Sequence, residues 1–578
     1  MKTTCPYCGV GCGIEVSREP DGSFKLRGDT SHPANLGRLC SKGAALGETL
    51  DLEGRLLHPL IDGQRVDWDQ ALDAVAGRFG EIIQRHGPDA VAFYVSGQLL
   101  TEDYYVANKL MKGFIGSANI DTNSRLCMAS SVAGHKRAFG SDTVPGCYED
   151  WEQSDLLILT GSNTAWCHPV LYQRAVAARK ARPHMKVVVI DPRRTATCDI
   201  ADLHLPLAPG TDAILFSGLL AWLYQQGHGD ARFVADCTES MGEALHLAGW
   251  YAPSAEAVAR HCGLDVGDVE TFFRWFAGTE RTVTVYSQGI NQSSSGTDKV
   301  NAIINCHLLT GRIGRPGMGP FSVTGQPNAM GGREVGALAN QLAAHMDFDN
   351  PEHVDRVARF WGAAHMARRP GLKALELFQA VERGEVKALW VMATNPAVSM
   401  PDASQVRRAL EKCEFLVVSD CVAQTDTSVH ADVLLPALAW GEKEGTVTNS
   451  ERRVSRQRAF LNSPGEARPD WWIVSAVARR LGYAGFGYRS AHEIFTEHAR
   501  LSAFENNGAR DFDLSGLADL SGPQYHALAP VQWPVTAGQA RGQARLFSDG
   551  AFFTPRRRAR FVAVTPRPPG MGTSSEYP

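Results

Sequence analysis

Two stretches, LLILTGSN at residues 156–163 and ALWVMATNP at residues 388–396, decide the fold of this chain. Each is an apolar strand that ends in a polar turn, and a helical run follows each turn. A second strand then ends in an acidic residue, which is Asp191 in VVVID and Asp420 in FLVVSD. A strand, a turn, a helix and a strand closed by an acid are typical of the nucleotide-binding half of a doubly wound parallel sheet.

The two stretches form an internal repeat. The turn asparagine and the acid are 191 − 163 = 28 residues apart in the first copy and 420 − 395 = 25 in the second. A third strand follows in both copies, in ADLHLPL at residues 201–207 and ADVLLPA at residues 431–437. Two matched copies predict an α/β fold with two Rossmann-like domains that bind similar nucleotides about a pseudo-twofold axis. Neither copy contains G-x-G-x-x-G, so the nicotinamide and flavin fingerprint is absent, and two α/β units without ligands are the alternative.

The amino-terminal sequence CPYCGVGCG, residues 5–13, and the later LGRLCSKG give the cysteine spacing C-x2-C-x3-C-x27-C. Four thiolates suit a 4Fe–4S cluster or a structural zinc ion, but zinc ribbons usually supply two short knuckles. Because three ligands share one loop here, we predict a 4Fe–4S cluster on Cys5, Cys8, Cys12 and Cys40. A zinc knuckle and unrelated buried cysteines are the alternatives. Lys42 is either a solvated lysine or an electrostatic bridge from the cluster to a second redox centre.

Composition narrows the function classes. The 578 residues predict three or four domains, and the formal net charge of −4 is too weak to favour nucleic acid or an anionic membrane as a partner. The longest apolar run, residues 213–224, is shorter than the roughly 20 residues of a membrane helix. Thirteen cysteines in a chain without a recognisable leader predict a reducing, cytoplasmic location.

A fifth cysteine of interest, Cys127 in NSRLCMAS, opens a helix-like segment of small residues, Met128–Gly134. A cysteine at a helix start can have its thiolate stabilised and can then ligate a soft metal, although a buried inert cysteine is the alternative. We interpret the remaining eight cysteines as buried small hydrophobic residues: Cys147, Cys167, Cys198, Cys237, Cys262, Cys306, Cys413 and Cys421.

Further motifs follow in order: IDPRRT, SQGINQSSSG, TGQPNAMGGREVG and WGEKEGTVTNSERR. Together with CPYCGVGC, LCSKG, NSRLCMAS and GSN, they strongly resemble the molybdenum bis-molybdopterin guanine dinucleotide oxidoreductases. Within that family the resemblance is strongest to the assimilatory nitrate reductase catalytic subunits. The match runs nearly continuously from Cys5 to about Val564.

The resemblance implies roles for individual residues. The four clustered cysteines would hold the 4Fe–4S cluster, with Lys42 between it and the nearer pterin. Cys127 would ligate molybdenum, and Met128 and Arg333 would shape the substrate pocket. A structural salt bridge or a cofactor phosphate contact is the alternative for Arg333, and plain packing is the alternative for Met128. Positions that match contacts to the two guanine dinucleotide cofactors are Gln98, Asn123, Gly161, Ser162, Asn163, Asp191, Asp212, Gln288, Gln292, Asn395, Ser419, Asp420, Lys443 and Asp470.

The resemblance also implies an activity, which is molybdenum-dependent reduction of nitrate to nitrite by oxygen-atom transfer in nitrate assimilation. Electrons would enter through the cluster from a separate reductase or a ferredoxin. A formate dehydrogenase of the same superfamily is one alternative, but there the metal-bound residue is typically followed by His, whereas Met128 follows Cys127 here. A non-catalytic iron–sulfur relay, like the large subunit of respiratory NADH dehydrogenase, is another, although such relays lack a cysteine equivalent to Cys127.

We predict four parts of the chain. These are a 4Fe–4S domain over 1–55, a discontinuous α/β pterin-binding domain over 56–150 with 340–480, a Rossmann-like domain over 151–339 and a helical or irregular segment over 481–578. The last part ends in the linker-like TPRPPGMGTSSEYP. Family members continue into a β-barrel-like C-terminal domain, which we expect to be missing here or supplied by a separate domain or subunit. The chain alone is therefore expected to hold its cofactors weakly.

Overall fold

The computed structural model describes residues 1–539, 541–572 and 574. Thr573 and residues 575–578, which belong to the predicted linker, lie outside the described residues, as does Ala540. Among the residues described, no helix is both long enough and apolar enough to cross a membrane.

Strands are distributed along the whole chain. They are β1 (Lys2–Thr4), β2 (Gly13–Arg18), β3 (Phe24–Gly28), β4 (Leu60–Ile61), β5 (Gln64–Arg65), β6 (Val91–Val95), β7 (Ile120–Thr122), β8 (Leu156–Thr160), β9 (Lys186–Ile190), β10 (Leu203–Leu205), β11 (Thr238–Glu239), β12 (Thr282–Tyr286), β13 (Gly319–Ser322), β14 (Gln341–Leu342), β15 (Met346–Asp347), β16 (Ala388–Met392), β17 (Phe415–Asp420), β18 (Val433–Pro436), β19 (Gly445–Thr448), β20 (Arg453–Gln457), β21 (Val531–Gln532) and β22 (Ala559–Arg560).

Helices separate most of these strands. They are α1 (Ser41–Ala44), α2 (Trp68–His86), α3 (Thr101–Asn108), α4 (Ser124–Phe139), α5 (Tyr148–Gln153), α6 (Thr164–Cys167), α7 (Pro169–Ala181), α8 (Asp212–Gln225), α9 (Ala231–Cys237), α10 (Met241–Tyr251), α11 (Ala255–Cys262), α12 (Val266–Gly278), α13 (Gln288–Asn291), α14 (Gly296–Leu309), α15 (Ala329–Glu334), α16 (Pro351–Trp361), α17 (Ala374–Glu382), α18 (Pro396–Ser399), α19 (Ala403–Lys412), α20 (Asp470–Arg480), α21 (Ala491–Ala503) and α22 (Gly522–His526). A π-helical stretch, Lys109–Ile115, continues α3.

Two parallel sheets have the same strand order, which confirms the predicted α/β fold. In one sheet the order is β10-β9-β8-β12-β13, and every neighbouring pair is parallel. In the other it is β18-β17-β16-β6-β7, again parallel throughout, with β4 and β5 added antiparallel at one edge. Strands β8 and β16, which were predicted from the apolar stretches, are therefore equivalent. The strand order reverses beside each of them, and ligands of doubly wound sheets bind at such a reversal.

The turn after the first strand has the same backbone in both copies of the repeat. Gly161 has φ +54° and Ala393 has φ +53°. The Gly161 N–H donates to the Ile190 carbonyl and the Ala393 N–H donates to the Ser419 carbonyl, each at 2.9 Å. Both turns therefore use the left-handed region, which costs an L-residue more than glycine.

Substitutions in these two turns should change the free energy of unfolding in opposite directions. A Cβ on Gly161 would lie 2.7 Å from the Ile290 backbone nitrogen, so Gly161→Ala should destabilise the chain by about 2 kcal/mol through strain and crowding. Ala393→Gly should stabilise it by up to about 1 kcal/mol, because glycine adopts this φ at lower cost. Urea unfolding of both variants measures the two signs. Equal destabilisation by both would contradict the assigned turn geometry.

The aspartates of the ADxxLP motifs stabilise the sheets. The Asp202 carboxylate accepts a hydrogen bond from the Val187 N–H at 2.8 Å, and the Asp432 carboxylate accepts one from the Leu416 N–H at 2.7 Å. Each acid thus satisfies a strand-end donor in its own copy of the repeat. The aspartate of each ADxxLP motif therefore has a structural role at a strand end and is not assigned as a ligand contact.

The predicted helical segment after residue 480 also contains strand pairs. Helices α21 and α22 lie in this segment, and the segment pairs β21 with β20 and β22 with β11. The last described residues lie on the first parallel-sheet domain. Arg567 forms an ion pair with Asp298 at 2.7 Å, and the Gly570 N–H donates to the Ser294 hydroxyl at 3.1 Å.

Candidate active site

The four cysteines predicted to hold a cluster meet between β1, β2 and the start of α1. Cys5 follows β1 and donates its N–H to the carbonyl of Cys12, at 2.9 Å, just before β2 begins. Burial raises the pKa of Cys5 to about 12 and that of Cys8 to about 11, and the charge of neighbouring thiols, including Cys40, contributes. Among the described residues, no group of three or more His, Cys, Asp or Glu side chains is arranged so that it could hold a metal ion. The thiols are close neighbours, and iron ligation would offset the cost of ionising them in this buried site.

The cluster loop is packed directly against two later motifs. A Cβ on Gly9 would lie 2.2 Å from the Thr324 carbonyl oxygen, so only glycine allows this approach. The Ser450 hydroxyl donates to the Gly9 carbonyl at 2.9 Å, and the Asn449 amide donates to the Val10 carbonyl at 3.0 Å. TGQPNAMGGREVG and TVTNSERR therefore hold the loop that carries three of the four cysteines.

Lys42 lies between the cluster loop and the first nucleotide turn. Its side chain is exposed and its ammonium lies 5.7 Å from the centre of the Tyr7 ring. Its charge lowers the pKa of Cys8 and of Cys167, against the larger effect of burial, so it is close to both. Cys167 is exposed at the end of α6, so its assignment as a buried small hydrophobic residue was wrong. The cause is its position in α6, which follows β8 and lies outside the parallel sheet.

The other cysteines without assigned chemistry are mostly as expected. Cys147, Cys198, Cys262 and Cys306 are buried, whereas Cys237, Cys413 and Cys421 are partly exposed.

Cys127 lies where segments that follow strands of the two parallel sheets meet. Helix α4 begins at Ser124, and Met128 breaks it with φ −143° and ψ 16°, so Cys127 precedes the second part of the helix. Its sulfur is partly exposed and accepts a hydrogen bond from Gln288 Nε2 at 3.0 Å. A Cβ on Gly325 would come within 3.5 Å of the same sulfur. A partly exposed cysteine sulfur that contacts an amide and lies near a glycine fits a ligand of a soft metal such as molybdenum.

The approaches to Cys127 are related by the repeat. Gln98 follows β6 and Gln288 follows β12, which are equivalent strands of the two sheets. Cys127 follows β7, and Gly325 follows the equivalent β13. The four residues therefore follow the carboxyl ends of two pairs of equivalent strands, β6 with β12 and β7 with β13. This is the arrangement that two similar cofactors meeting at one metal require.

The turn asparagines have matching partners. The Thr197 hydroxyl donates to Asn163 Oδ1 at 2.8 Å, and the Thr427 hydroxyl donates to Asn395 Oδ1 at 2.7 Å. Each threonine oxygen also accepts a backbone N–H from the helix that follows the turn, from Ala165 at 3.1 Å in the first copy. The second copy has the same bond at 3.2 Å. Neither threonine was predicted, although each stands 32 to 34 residues after its asparagine and an extended repeat alignment would find it.

The acids that close the second strands are also equivalent. Asp191 Oδ1 accepts the N–H of Arg193 at 2.9 Å, and Asp420 Oδ1 accepts the N–H of Val422 at 3.1 Å. A carboxylate can accept several hydrogen bonds, so both acids could also bind a ribose hydroxyl. Burial raises the pKa of Asp420 above its ordinary value.

The two serines near these acids are fixed by protein groups. The Ser162 hydroxyl lies 3.0 Å from that of Thr164, and the Ser419 hydroxyl accepts the indole N–H of Trp390 at 2.7 Å. A backbone or hydroxyl contact to a cofactor is compatible with both, because a hydroxyl that accepts one bond can still donate another.

Three predicted amides lie at the interface between the two sheets. Asn123 accepts from the Gly97 N–H at 2.9 Å and from Gln326 at 2.7 Å. Gln292 donates to the Leu126 carbonyl at 2.8 Å, and Gln98 is exposed. Gln326 was not predicted.

Three other predicted cofactor residues are ion-paired within the protein. Asp212 pairs with Lys299 at 2.7 Å, and Lys443 pairs with Asp470 at 2.7 Å and with Asp103 at 3.4 Å. Although burial opposes the charged form, these two carboxylates raise the pKa of Lys443. Asp470 Oδ1 is buried without a hydrogen-bond partner in the described structure, so one acceptor of this group remains available to a ligand.

Arg333 is buried next to Met128 and Cys127. Its Nε donates to Asp142 at 2.6 Å, and both side chains are 2% exposed. Burial raises the pKa of Asp142, but the Arg333 guanidinium together with His345, Lys136 and His135 outweighs burial and holds this pKa below its ordinary value. The terminal nitrogens contact thioether sulfurs, with Nη1 at 2.8 Å from Met128 Sδ and Nη2 at 3.1 Å from Met330 Sδ. The salt bridge was one predicted alternative, but its partner Asp142 carries no sequence signal that identifies it.

Two family models match this chain. One, described as molybdopterin oxidoreductase, matches residues 55–480, and one, described as molybdopterin oxidoreductase Fe4S4 domain, matches residues 1–51. The second match contains all four clustered cysteines and confirms the prediction of a 4Fe–4S domain over that of a zinc knuckle. The first contains Cys127 and all the positions predicted to contact the two cofactors.

Two curated relatives are similar over nearly the whole chain. The nitrate reductase of Klebsiella oxytoca is 58% identical over 100% of this chain and 65% of that protein. The nitrate reductase of Shewanella frigidimarina is 49% identical over 97% of this chain and 61% of that protein. This chain therefore spans less than two thirds of the length of either relative.

Among solved structures, acetylene hydratase from Pelobacter acetylenicus matches with a TM-score of 0.77 at 19% sequence identity. The match covers 97% of this chain and 77% of that one. At this identity the likeness concerns the fold alone.

Proposed function

The chain belongs to the molybdopterin oxidoreductase family, and we propose that it reduces nitrate to nitrite as part of an assimilatory nitrate reductase. The balanced reaction is NO3⁻ + 2H⁺ + 2e⁻ → NO2⁻ + H2O. One observation carries the proposal: Cys127 is partly exposed, and the next residue, Met128, contacts the guanidinium of Arg333. High identity to two nitrate reductases supports it.

The residues present fit the cofactors of the family. Cys127 would ligate molybdenum, and the turns at Gly161–Asn163 and Ala393–Asn395 would receive the guanine dinucleotide ends of two pterins. When bound, the molybdenum and its pterins supply a two-electron centre that accepts an oxygen atom from the substrate. Gln288 orients the Cys127 sulfur by donating to it at 3.0 Å.

Arg333 attracts and orients the substrate anion. Nitrate is planar and negatively charged, and a guanidinium presents N–H donors in one plane that match it. Thioether sulfurs are weak acceptors, so the terminal nitrogens that contact Met128 and Met330 are available to a stronger one. Asp142 binds the guanidinium through Nε, and the terminal nitrogens donate to the two thioethers and, from Nη1 at 3.4 Å, to the Ala329 carbonyl.

When bound, the 4Fe–4S cluster would supply electrons to the nearer pterin, and Lys42 would lie between the two groups. Lys42 lies between the cluster loop and the first nucleotide turn, where its charge stabilises an extra negative charge on either side. The donor is a separate reductase or a ferredoxin. We also propose a cytoplasmic location, because thiols assigned as metal ligands stay reduced there.

Metal analysis combined with viologen-linked assays tests the function. The purified chain should contain iron and less than stoichiometric molybdenum, because it is expected to hold its cofactors weakly. The molybdenum-loaded fraction should consume reduced viologen with nitrate, but should not reduce viologen with formate. Formate oxidation would show a formate dehydrogenase instead. Iron with no molybdenum, and no turnover with either substrate, would refute a catalytic role for this polypeptide alone.

A further inference from the structure

The loop that follows Arg333 is held by three charged side chains that no part of the reaction above uses. This loop, Gly336–Gln341, connects α15 to β14. It leaves α15 directly, because the Gly336 N–H donates to the Arg333 carbonyl at 3.0 Å. Gly336 has φ +78°, and a Cβ there would lie 2.5 Å from the Leu342 carbonyl carbon, so the path of the loop is closely defined.

Lys112 binds the backbone carbonyls of this loop. It is 1% exposed, lies in the π-helical stretch, and its Nζ donates to the carbonyls of Leu338 at 3.0 Å and Gln341 at 2.8 Å. A third bond goes to the Gly336 carbonyl. Three carbonyl oxygens use all three donors of one ammonium group. No salt bridge joins this lysine to a carboxylate within the residues described, so its buried charge is balanced mainly by the loop dipoles.

Two residues on the Cys127 side bind the same loop. Asp121 is the middle residue of β7 and accepts the Ala339 N–H at 3.1 Å, and Arg125 in α4 donates to the Asn340 side chain at 2.7 Å. Arg125 and Asp121 also form an ion pair at 3.0 Å. Arg125 lies two residues before Cys127, so one side of the loop is tied to the helix of the thiolate and the other to the helix of Arg333.

We propose that Lys112, with Asp121 and Arg125, is a positioning residue that fixes the Gly336–Gln341 loop and thereby sets Arg333 over Met128 beside Cys127. The inference rests on the proposed function, because the placement matters through the anion that Arg333 receives. Lys112 touches neither Met128 nor Cys127. A π-helical stretch places it under the loop, and such stretches occur often at functional sites.

Replacing Lys112 with methionine removes the three donors and keeps the length of the side chain. Amide hydrogen exchange of the purified chain should accelerate by about tenfold or more over residues 333–342, because each lost charged hydrogen bond lowers the cost of local opening. Lys109→Met is the matched control. Lys109 lies on the same π-helical stretch, but its Nζ binds Glu497 at 2.7 Å and Gly485 at 2.8 Å, so its effect should fall on residues 485–497.

Kinetics of the cofactor-loaded enzyme separate positioning from general destabilisation. Lys112→Met should raise the KM for nitrate about tenfold with kcat changed less than about threefold, whereas Lys109→Met should change neither beyond twofold. Asn340→Ala removes only the bond from Arg125 and provides a variant that folds if Lys112→Met does not. It should raise KM and loop exchange in the same direction, by a smaller factor.

Unchanged exchange over 333–342 in both Lys112→Met and Asn340→Ala would overturn the proposal, as would equal acceleration there by Lys109→Met. A fall in kcat at constant KM would overturn it too. If the wild-type chain shows no nitrate turnover, the proposed function fails, but the exchange experiment still tests whether Lys112 holds the loop.

Discussion

Cys127→Ala should abolish molybdenum-dependent nitrate turnover while the absorbance of the 4Fe–4S cluster stays at the wild-type level. The Cys127 sulfur lies in α4, between the two parallel sheets, whereas the cluster cysteines lie in the amino-terminal domain. Removing one thiolate ligand takes away the soft donor that the metal prefers, without touching the iron ligands. Viologen-linked activity, molybdenum content and the iron–sulfur absorbance together measure the result.

Cys127→Ser and a distant cysteine provide the controls. Serine keeps the size of the side chain but offers a hard oxygen, so it should restore folding without restoring turnover. Cys237→Ala, at the partly exposed end of α9, should leave activity, molybdenum and iron unchanged. Loss of the cluster absorbance in Cys127→Ala would show that Cys127 has been given the wrong role, and full activity would refute it as a metal ligand.

Arg333→Met should lower both stability and activity, for separable reasons. The substitution leaves the Asp142 carboxylate, which is 2% exposed, without its partner. Breaking a buried ion pair in this way costs about 3 to 5 kcal/mol of unfolding free energy. Loss of charged hydrogen bonds to nitrate should also lower kcat/KM by about ten- to a hundredfold. Urea unfolding and steady-state kinetics measure the two effects.

The double variant Arg333→Met/Asp142→Leu separates the salt bridge from the substrate role. Replacing both members of a buried pair with apolar groups should recover most of the lost stability, since no charge stays buried alone. Activity should not recover, because the anion still lacks its guanidinium. Arg55→Met breaks another buried pair, with Glu442 at 2.7 Å, and should lower stability with kcat/KM intact. Recovery of both stability and kcat/KM in the double variant would make Arg333 purely structural.

The predictions that rested on local pattern agree with the structure. Apolar runs bounded by polar turns became β8, β9, β16 and β17, because continuous hydrophobic segments of that length are buried in parallel sheets. The two copies of the repeat agree down to the left-handed turn at Gly161 and Ala393. The domain bounds and the roles of the predicted cofactor residues stay predictions.

Asp142 and Lys112, which reach their partners from distant parts of the chain, were not predicted. Asp142 and Arg333 are 191 residues apart, and Lys112 meets the Gly336–Gln341 loop from 224 residues away. A lone acid or lysine carries no periodic or motif signal, so only the packing of separate elements shows its partner. The prediction that Cys167 is buried was wrong, because the residues around it in the sequence do not show that the chain has left the sheet at this point.

The sequence by itself determined the cysteine spacing of the cluster, the two-copy nucleotide fold and the membership of the molybdopterin oxidoreductase family. These features depend on residue order, since ligand spacing and hydrophobic runs are read along the chain. The tertiary structure decided that Cys127 faces Gln288 and Gly325, and that Arg333 is held by Asp142 beside Met128. Those contacts join the ends of strands from two different sheets, and the order of residues does not specify how close such ends come.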